Sequence, residues 1–233
     1  MGSRNMTYKF IFFDLDHTLM DFDASEEVAL NQLLQEEGVK DIEGFKAYYR
    51  PMNQAMWVDL EAGRLDKETL VTTRFAKAFT YFGIVKDGKE LAQKYEKLLA
   101  QQGHLYPGAH ELLQDLKDAG YQLFAATNGI TAIQEGRLRQ SGLDKLFDQV
   151  FISDELGAQK PDPEFFARAA SLIPDFDKTT ALMIGDKLAA DIKGGQSFGI
   201  DTVWYNPHGK ETRGIEPTYT VGNYKEIKQL LLK

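Results

Sequence analysis

Two aspartates and a threonine directly follow a short apolar run near the start of the chain. Asp14, Asp16 and Thr18 come after residues 8–13, which have the length and composition of a buried strand. Carboxylates at the end of a buried strand are costly to place, because each must be hydrogen-bonded, paired or bound to a metal. Taken alone, the segment also fits an Asp-rich turn, since Asp and Thr suit turns and helix caps.

Three later segments of the chain also carry polar residues of types that could react or bind a ligand. They contain Thr127 and Asn128 after one apolar run, Lys160 in a loop, and Asp186 and Asp191 after another apolar run. Each has an ordinary structural interpretation, as a turn, a surface lysine or a helix cap. Ligands of open parallel sheets bind at the carboxyl ends of the strands, so the joint occurrence of these segments favours one shared site.

The residue types in these segments suit phosphoryl transfer. Converging carboxylates repel one another unless a hard cation lies among them, and a set of oxygen ligands favours magnesium. A cation, a lysine, a threonine hydroxyl and backbone N–H groups together bind phosphate. One carboxylate beside such a site can attack phosphorus to give an aspartyl-phosphate. A second carboxylate, two residues later, can act as general acid and then as general base.

The elements around these segments predict an α/β fold with an insertion. Strand-like and helix-like patterns alternate from residue 106 onward, which predicts a Rossmann-like, doubly wound parallel sheet with helices on both faces. The predicted strands are residues 8–13, 121–126, 149–152, 180–184 and 202–205. Residues 21–104 contain about four consecutive helical patterns without a strand, with separate helical stretches before and after Pro51. We therefore predict a core domain, residues 6–20 and 105–233, and an inserted small helical bundle, residues 21–104.

Composition narrows the class of partner. The formal net charge of -8 argues against a nucleic-acid polymer as partner, which would require a basic face. The chain has no cysteine, so disulfides, thiolate metal sites and cysteine nucleophiles are excluded.

No apolar run approaches the roughly 20 residues that span a bilayer. With no leader sequence evident, we expect a cytoplasmic protein without membrane association. We interpret residues 1–5 as a cloning remnant or frayed tail and Met6 as the natural start.

Four motifs in order resemble those of the haloacid dehalogenase-like superfamily. They are Asp14-x-Asp16-x-Thr18, Thr127, Lys160, and Gly185-Asp186 with Asp191. By this resemblance, Asp14 is the nucleophile, Asp16 the general acid and base, and Thr127 a ligand of the phosphoryl oxygens with Asn128 nearby. The resemblance also implies that Lys160 neutralises the phosphoryl charge. Mg²⁺ would be bound by Asp14, Asp186 and the backbone carbonyl of Asp16, whereas Asp191 would hold the waters of the metal or Lys160.

Further resemblance points to one branch of the superfamily, the bacterial pyrimidine 5′-nucleotidase-like phosphatases. The helical insert is similar to the cap that some members carry between the first and second motifs, where it excludes water and selects the leaving group. In the insert, Trp57 either stacks on a substrate base or belongs to the core. Arg74 either binds a substrate anion or forms a surface ion pair. Phe22 is a further candidate for substrate contact, and His17 either orients the motif loop or borders the leaving group.

These features predict a magnesium-dependent phosphomonoesterase that works through an aspartyl-phosphate. Asp16 favours phosphoryl transfer over dehalogenation, because true dehalogenases attack carbon and lack the second acid. The expected partner is a small phosphorylated metabolite, with a nucleoside 5′-monophosphate favoured, and the expected assembly is a monomer or weak dimer. The alternatives are a phosphosugar phosphatase or mutase of the same fold, and a non-catalytic binding module. Lys187, where relatives commonly have a small hydroxyl residue, has no assigned role.

Overall fold

The computed structural model describes residues 8–232. The prediction for residues 1–5 and Met6 lies outside this range. The chain divides into two compact units, one ending at Phe22 and resuming at Gly103, and the other comprising Asp23–Gln102. None of the helices in the described residues is long and apolar enough to cross a membrane.

The first unit contains a six-stranded parallel sheet. Its strands are β1 (Phe10–Phe13), β2 (Gln122–Thr127), β3 (Gln149–Ile152), β4 (Ala181–Gly185), β5 (Asp201–Tyr205) and β6 (Tyr219–Val221). The strand order is β3-β2-β1-β4-β5-β6, so β1 lies between β2 and β4, and every pair is parallel. This is the Rossmann order, in which the direction of strand succession reverses beside β1 and opens a crevice at the carboxyl ends of β1 and β4.

Helices cover both faces of the sheet. They are α5 (Ala109–Asp118), α6 (Thr131–Ser141), α7 (Ser153–Leu156), α8 (Pro163–Ser171), α9 (Lys193–Phe198) and α10 (Tyr224–Leu231). Alternate side chains of β1 enter opposite cores, with Ile11 and Phe13 on one face and Phe10 and Phe12 on the other. Because β1 is buried on both faces, its sequence is a continuous apolar run rather than an alternating one.

The second unit is helical. Its helices are α1 (Phe22–Glu36), α2 (Ile42–Glu61), α3 (Lys67–Tyr81) and α4 (Gly88–Ala100). The first residue of α1, Phe22, belongs to the first unit, and the rest of α1 belongs to the second. The residues before α2, α3 and α4 are N-caps, since each side chain accepts a hydrogen bond from a backbone N–H in the first turn; they are Asp41, Asp66 and Asp87. Stacked aromatic rings form part of its interior, with Tyr49 and Phe75 centroids 4.9 Å apart.

Two local predictions were wrong or incomplete. Pro51 does not divide the second helical stretch, because α2 continues through it. Proline leaves the carbonyl of Ala47 without its helical donor, but both residues are exposed, so water can take that place. The sixth strand, Tyr219–Val221, was not predicted, because a three-residue edge strand carries too little periodicity to be recognised. The five predicted strands are confirmed.

Candidate active site

Asp14 lies at the carboxyl end of β1, beside the buried ammonium group of Lys160. The Nζ atom of Lys160 is 2.9 Å from Asp14 Oδ1 and 2.7 Å from Asp191 Oδ1. It also donates to the carbonyl oxygen of Ala126 in β2, at 2.7 Å. Three acceptors therefore match the three N–H bonds of the ammonium, in a lysine that is only 1% exposed. Burial alone would lower the pKa of Lys160, but the two carboxylates outweigh it and raise the pKa, so the charge persists at neutral pH.

The loop that carries Lys160 is held by Asn128. The Asn128 side chain donates to the backbone carbonyl of Lys160 at 2.7 Å and accepts from its backbone N–H at 2.8 Å. These paired bonds connect the end of β2 to a loop 32 residues later. The Asn128 side chain thus positions Lys160, the residue whose ammonium contacts Asp14.

Three carboxylates form a cluster that could hold a metal ion. Asp14, Asp186 and Asp191 each offer an oxygen atom, and these atoms all lie within 4.8 Å of one another. Burial and the nearby charges of Asp14 and Asp191 raise the pKa of Asp186 to about 8. Burial and Asp14 raise the pKa of Asp191 to about 6, although Lys160 opposes the rise. A hard divalent cation would relieve this repulsion, so the donor set fits such an ion.

The position of Asp191 depends on an unusual turn and on a glycine. Asp191 lies in a π-helical turn, Leu188–Ile192, between β4 and α9. Its Oδ1 faces Lys160, while Oδ2 accepts the backbone N–H of Lys187 at 3.0 Å. A Cβ atom at Gly185 would lie 2.2 Å from Asp191 Oδ2, so only glycine permits this approach.

The loop after β1 is shaped by Thr18 and His17. The Thr18 hydroxyl is fully buried, 3.2 Å from Asp186 Oδ1 and 3.4 Å from Asp14 Oδ2. The backbone carbonyl of Thr18 accepts a 2.6 Å bond from the hydroxyl of Tyr224, in α10. His17 has a φ of 63°, in the left-handed region, and its ring centroid lies 5.7 Å from that of Phe22.

Asp16 contacts two residues of α6 that the sequence interpretation missed. Arg137 donates through Nη1 to Asp16 Oδ1, and Gln134 donates through Nε2 to Asp16 Oδ2 at 3.0 Å. Partial burial would raise the pKa of Asp16, but the Arg137 guanidinium outweighs this effect and the pKa is lowered. Asp16 is therefore ionised at neutral pH in this structure, which is the form a general base requires, and it must take up a proton before it can act as a general acid.

Gln134 also contacts Thr127. The Thr127 hydroxyl oxygen accepts from Gln134 Nε2 and from the backbone N–H of Gly129, both at 3.0 Å. One pattern in the sequence could have identified Gln134 and Arg137. They are two polar residues, three positions apart, in the helical stripe that also contains the apolar Ile133. Polar residues in an inward-facing stripe require buried partners, and here those partners are Asp16 and Thr127.

The two candidate substrate-binding residues of the helical unit, Trp57 and Arg74, are buried in that unit or packed against its buried residues. Trp57 is partly buried and packs against the cluster formed by Met56, Leu60 and Leu70. Arg74 is only 4% exposed, so it does not form a surface ion pair. Its Nη1 lies 3.3 Å from Asn53 Oδ1. The guanidinium also lies over aromatic rings, 5.3 Å from the centroid of Phe75 and 5.1 Å from that of Tyr95.

Comparison with known proteins assigns the family. Residues 11–205 match the family described as haloacid dehalogenase-like hydrolase. The chain belongs to that family. This hydrolase is 56% identical to the pyrimidine 5′-nucleotidase PynA of Streptococcus pneumoniae over 229 residues, which cover 98% of the chain and 97% of PynA. It is 34% identical to the pyrimidine 5′-nucleotidase YjjG of Escherichia coli over 230 residues, 98% of the chain and 100% of YjjG.

A solved structure supports the same assignment. The crystal structure of the HAD-hydrolase YfnB from Bacillus subtilis, bound to magnesium, superposes on the hydrolase with a TM-score of 0.90. The two proteins are 38% identical, and the match covers 96% of this chain and 98% of YfnB. The predicted family and fold class are thereby confirmed.

Proposed function

We propose that the protein is a magnesium-dependent phosphomonoesterase that works through an aspartyl-phosphate on Asp14, with nucleoside 5′-monophosphates as substrates. The observation that carries the proposal is the contact of the Asp14 carboxylate with Lys160, inside a cluster of three carboxylates and two residues before Asp16. The nucleotide specificity is supported by the 56% identity to PynA, a pyrimidine 5′-nucleotidase.

The reaction has two balanced steps. In the first, an oxygen of Asp14 attacks phosphorus and the bond from phosphorus to the ester oxygen breaks. The ester oxygen keeps the electron pair of that bond and takes a proton from the Asp16 carboxyl group, which is protonated at this step. In the second, water attacks the phosphorus of the aspartyl-phosphate and gives a proton to the Asp16 carboxylate. The bond from phosphorus to Asp14 then breaks, which releases inorganic phosphate and restores the Asp14 carboxylate.

The other residues bind and orient the phosphoryl group. The Lys160 ammonium lies 2.9 Å from Asp14 Oδ1 and would neutralise charge on the phosphoryl oxygens as they approach Asp14. Thr127 would donate its hydroxyl proton to one of those oxygens. The buried Thr18 hydroxyl, which contacts Asp14 and Asp186, would hold the two carboxylates in place.

Asp14, Asp186 and the backbone carbonyl of Asp16 would bind Mg²⁺, and Asp191 would bind Lys160 and the waters of the metal. Burial and the charges of Asp14 and Asp191 raise the pKa of Asp186 to about 8 although Lys187 opposes the rise, so a divalent cation bound there would favour the ionised carboxylate. When bound, Mg²⁺ supplies positive charge that lowers the repulsion between the nucleophile and the phosphoryl group.

The helical unit, Asp23–Gln102, would serve as the cap that reads the leaving group. Arg74 and Trp57 are the candidates within it. Arg74 has a buried Nε atom without a hydrogen-bond partner, which is a donor suited to an anion. Trp57 is partly buried against a cluster that includes Met56 and Leu60, and its ring would stack on a substrate base.

The test compares wild type with Asp14→Asn on p-nitrophenyl phosphate and on panels of nucleoside monophosphates and hexose phosphates, with and without Mg²⁺. Loss of the nucleophile should reduce turnover to background, on the order of 10⁴-fold. Asp144→Asn, at an exposed position, is the matched control and should retain full activity. Undiminished activity in Asp14→Asn would refute the mechanism. Preferential turnover of hexose phosphates would refute the nucleotide specificity, and no phosphate release from any ester would indicate a binding module.

A further inference from the structure

Arg137 is the largest fully buried side chain in the described part of the protein. A buried guanidinium requires compensation, because removing its charge from water costs several kcal/mol in order of magnitude. Arg137 makes two hydrogen bonds through Nη1, to Asp16 Oδ1 and to Gln134 Oε1, the second at 3.1 Å. Its guanidinium also lies 5.5 Å from the ring centroid of Phe22.

The compensation is incomplete. The Nε and Nη2 atoms of Arg137 are buried and have no hydrogen-bond partner in the structure. Such an arrangement stabilises the fold poorly, since replacing a buried ion pair by apolar residues is often neutral or favourable. A function that needs the Asp16 carboxylate in one orientation accounts for the presence of arginine at this position.

Gln134 connects three groups through a single amide. Its Nε2 atom donates to Asp16 Oδ2 and to Thr127 Oγ1, both at 3.0 Å, and its Oε1 accepts from Arg137. The two hydrogens of Nε2 match the two acceptors. The reverse amide orientation would place an oxygen against the carboxylate, so the network allows only this one.

Two consequences follow for the reacting groups. The Asp16 carboxylate is contacted on both oxygens, by Arg137 and Gln134, which restricts its rotation while its side chain remains 28% exposed. The Thr127 oxygen accepts two hydrogen bonds, from Gln134 and Gly129, so its own proton is left to donate elsewhere. A phosphoryl oxygen needs such a donor.

We infer that Gln134 and Arg137 are positioning residues that hold the Asp16 carboxylate in reach of the leaving-group oxygen and direct the Thr127 hydroxyl proton toward the phosphoryl group. This inference rests on the proposed phosphomonoesterase activity. Both residues lie on α6, three positions apart, so one helix face aligns the proton-transfer group with a phosphate-binding group.

The test uses two esters that differ in their need for a proton. The p-nitrophenolate ion leaves without protonation, whereas the alkoxide of benzyl phosphate needs a proton from Asp16. The rate constant of the first step is measured for each ester under single-turnover conditions, at saturating Mg²⁺. The variants are Gln134→Leu, Arg137→Met and Arg137→Lys. Arg139→Met and Gln140→Leu, at exposed positions of the same helix, are the matched controls.

General acid catalysis contributes about 10²–10⁴-fold, so we expect benzyl phosphate cleavage to fall by about 10²-fold or more in Arg137→Met and Gln134→Leu. Cleavage of p-nitrophenyl phosphate should fall by less than about tenfold in Arg137→Met. Arg137→Lys should cleave benzyl phosphate faster than Arg137→Met but more slowly than wild type, because lysine keeps the positive charge but lacks the planar guanidinium group. The controls should leave both rate constants unchanged.

A loss by the same factor for both esters in Arg137→Met would show a merely structural role and overturn the inference, as would unchanged rate constants in Arg137→Met and Gln134→Leu. If Arg137→Met fails to fold, as judged by circular dichroism, Arg137→Lys carries the same comparison, and in Gln134→Leu the fall for benzyl phosphate should exceed the fall for p-nitrophenyl phosphate. A wild type that cleaves neither ester would instead refute the phosphomonoesterase activity itself, which distinguishes the two failures.

Discussion

Replacing Lys160 by methionine should destabilise the protein through the charges it leaves behind. The Lys160 ammonium lies 2.9 Å from Asp14 Oδ1 and 2.7 Å from Asp191 Oδ1, and it is almost fully buried. Methionine keeps much of the volume but removes the positive charge. The remaining carboxylates then repel one another within the cluster that also contains Asp186.

The expected size follows from known effects. Removing one partner of a buried ion pair costs about 3–5 kcal/mol, and for a chain of this size each kcal/mol lowers Tm by about 2–4 °C. The metal-free Lys160→Met variant should therefore melt about 6–20 °C below wild type. Mg²⁺ should recover part of this loss, since a cation among the carboxylates replaces the missing charge. Turnover should fall by about 10²–10³-fold even with Mg²⁺, because charge stabilisation of the phosphoryl group is lost.

The assay is thermal denaturation with and without Mg²⁺, combined with steady-state hydrolysis. Lys193→Met, at an exposed position near Asp191, is the matched control and should leave Tm and turnover unchanged. The double variant Lys160→Met/Asp191→Asn should be more stable than Lys160→Met, because one repelling charge is removed. A Tm decrease below about 2 °C, or a double variant no more stable than the single one, would refute the electrostatic reasoning.

Three further predictions concern the carboxylate cluster and the helical unit. Without metal, the pKa of Asp186 is raised to about 8 and that of Asp191 to about 6, so the folded protein keeps protons that the unfolded carboxyl groups release near pH 4. Stability without metal should then fall as pH rises from 4 to 8, and Mg²⁺ should raise Tm more at pH 8 than at pH 5.5; an equal gain at both pH values would contradict this. Gly185→Ala should weaken Mg²⁺ binding in calorimetry, because its Cβ would lie 2.2 Å from Asp191 Oδ2; unchanged affinity would argue against the steric reasoning. Arg74→Met should raise KM for nucleotides about tenfold, through loss of one hydrogen bond to a charged group, while Tm stays nearly constant. A large Tm loss with unchanged KM would assign Arg74 to the core alone.

The motif residues and the sheet could be predicted from sequence because both depend on local patterns. Apolar runs of strand length predicted β1 to β5, and the polar segments after β1, β2 and β4 indicated the edge at which a site would form. The parallel arrangement brings Asp14, Asp186 and Asp191 within 4.8 Å of one another, as expected for the carboxyl ends of neighbouring strands. The four motifs and their order also predicted the family.

Other features escaped prediction because their causes are distant in sequence. The contact of Arg137 with Asp16 joins residues 121 positions apart, and the Asn128 bridge to Lys160 joins residues 32 positions apart. The continuity of α2 through Pro51 depends on solvent exposure, and β6 forms only because β5 offers an edge for pairing. Single-element periodicity contains no information on such contacts.

The sequence by itself therefore determined the fold class, the family and the identity of the acids and the lysine that could react. It did so because burial patterns and motif order are properties of neighbouring residues. The tertiary structure alone decided how those groups are held: Gln134 bridging Asp16 and Thr127, and the close approach of Asp191 over Gly185. These contacts depend on packing between separate elements, because the residues that a side chain contacts are its neighbours in space and need not be its neighbours in the sequence.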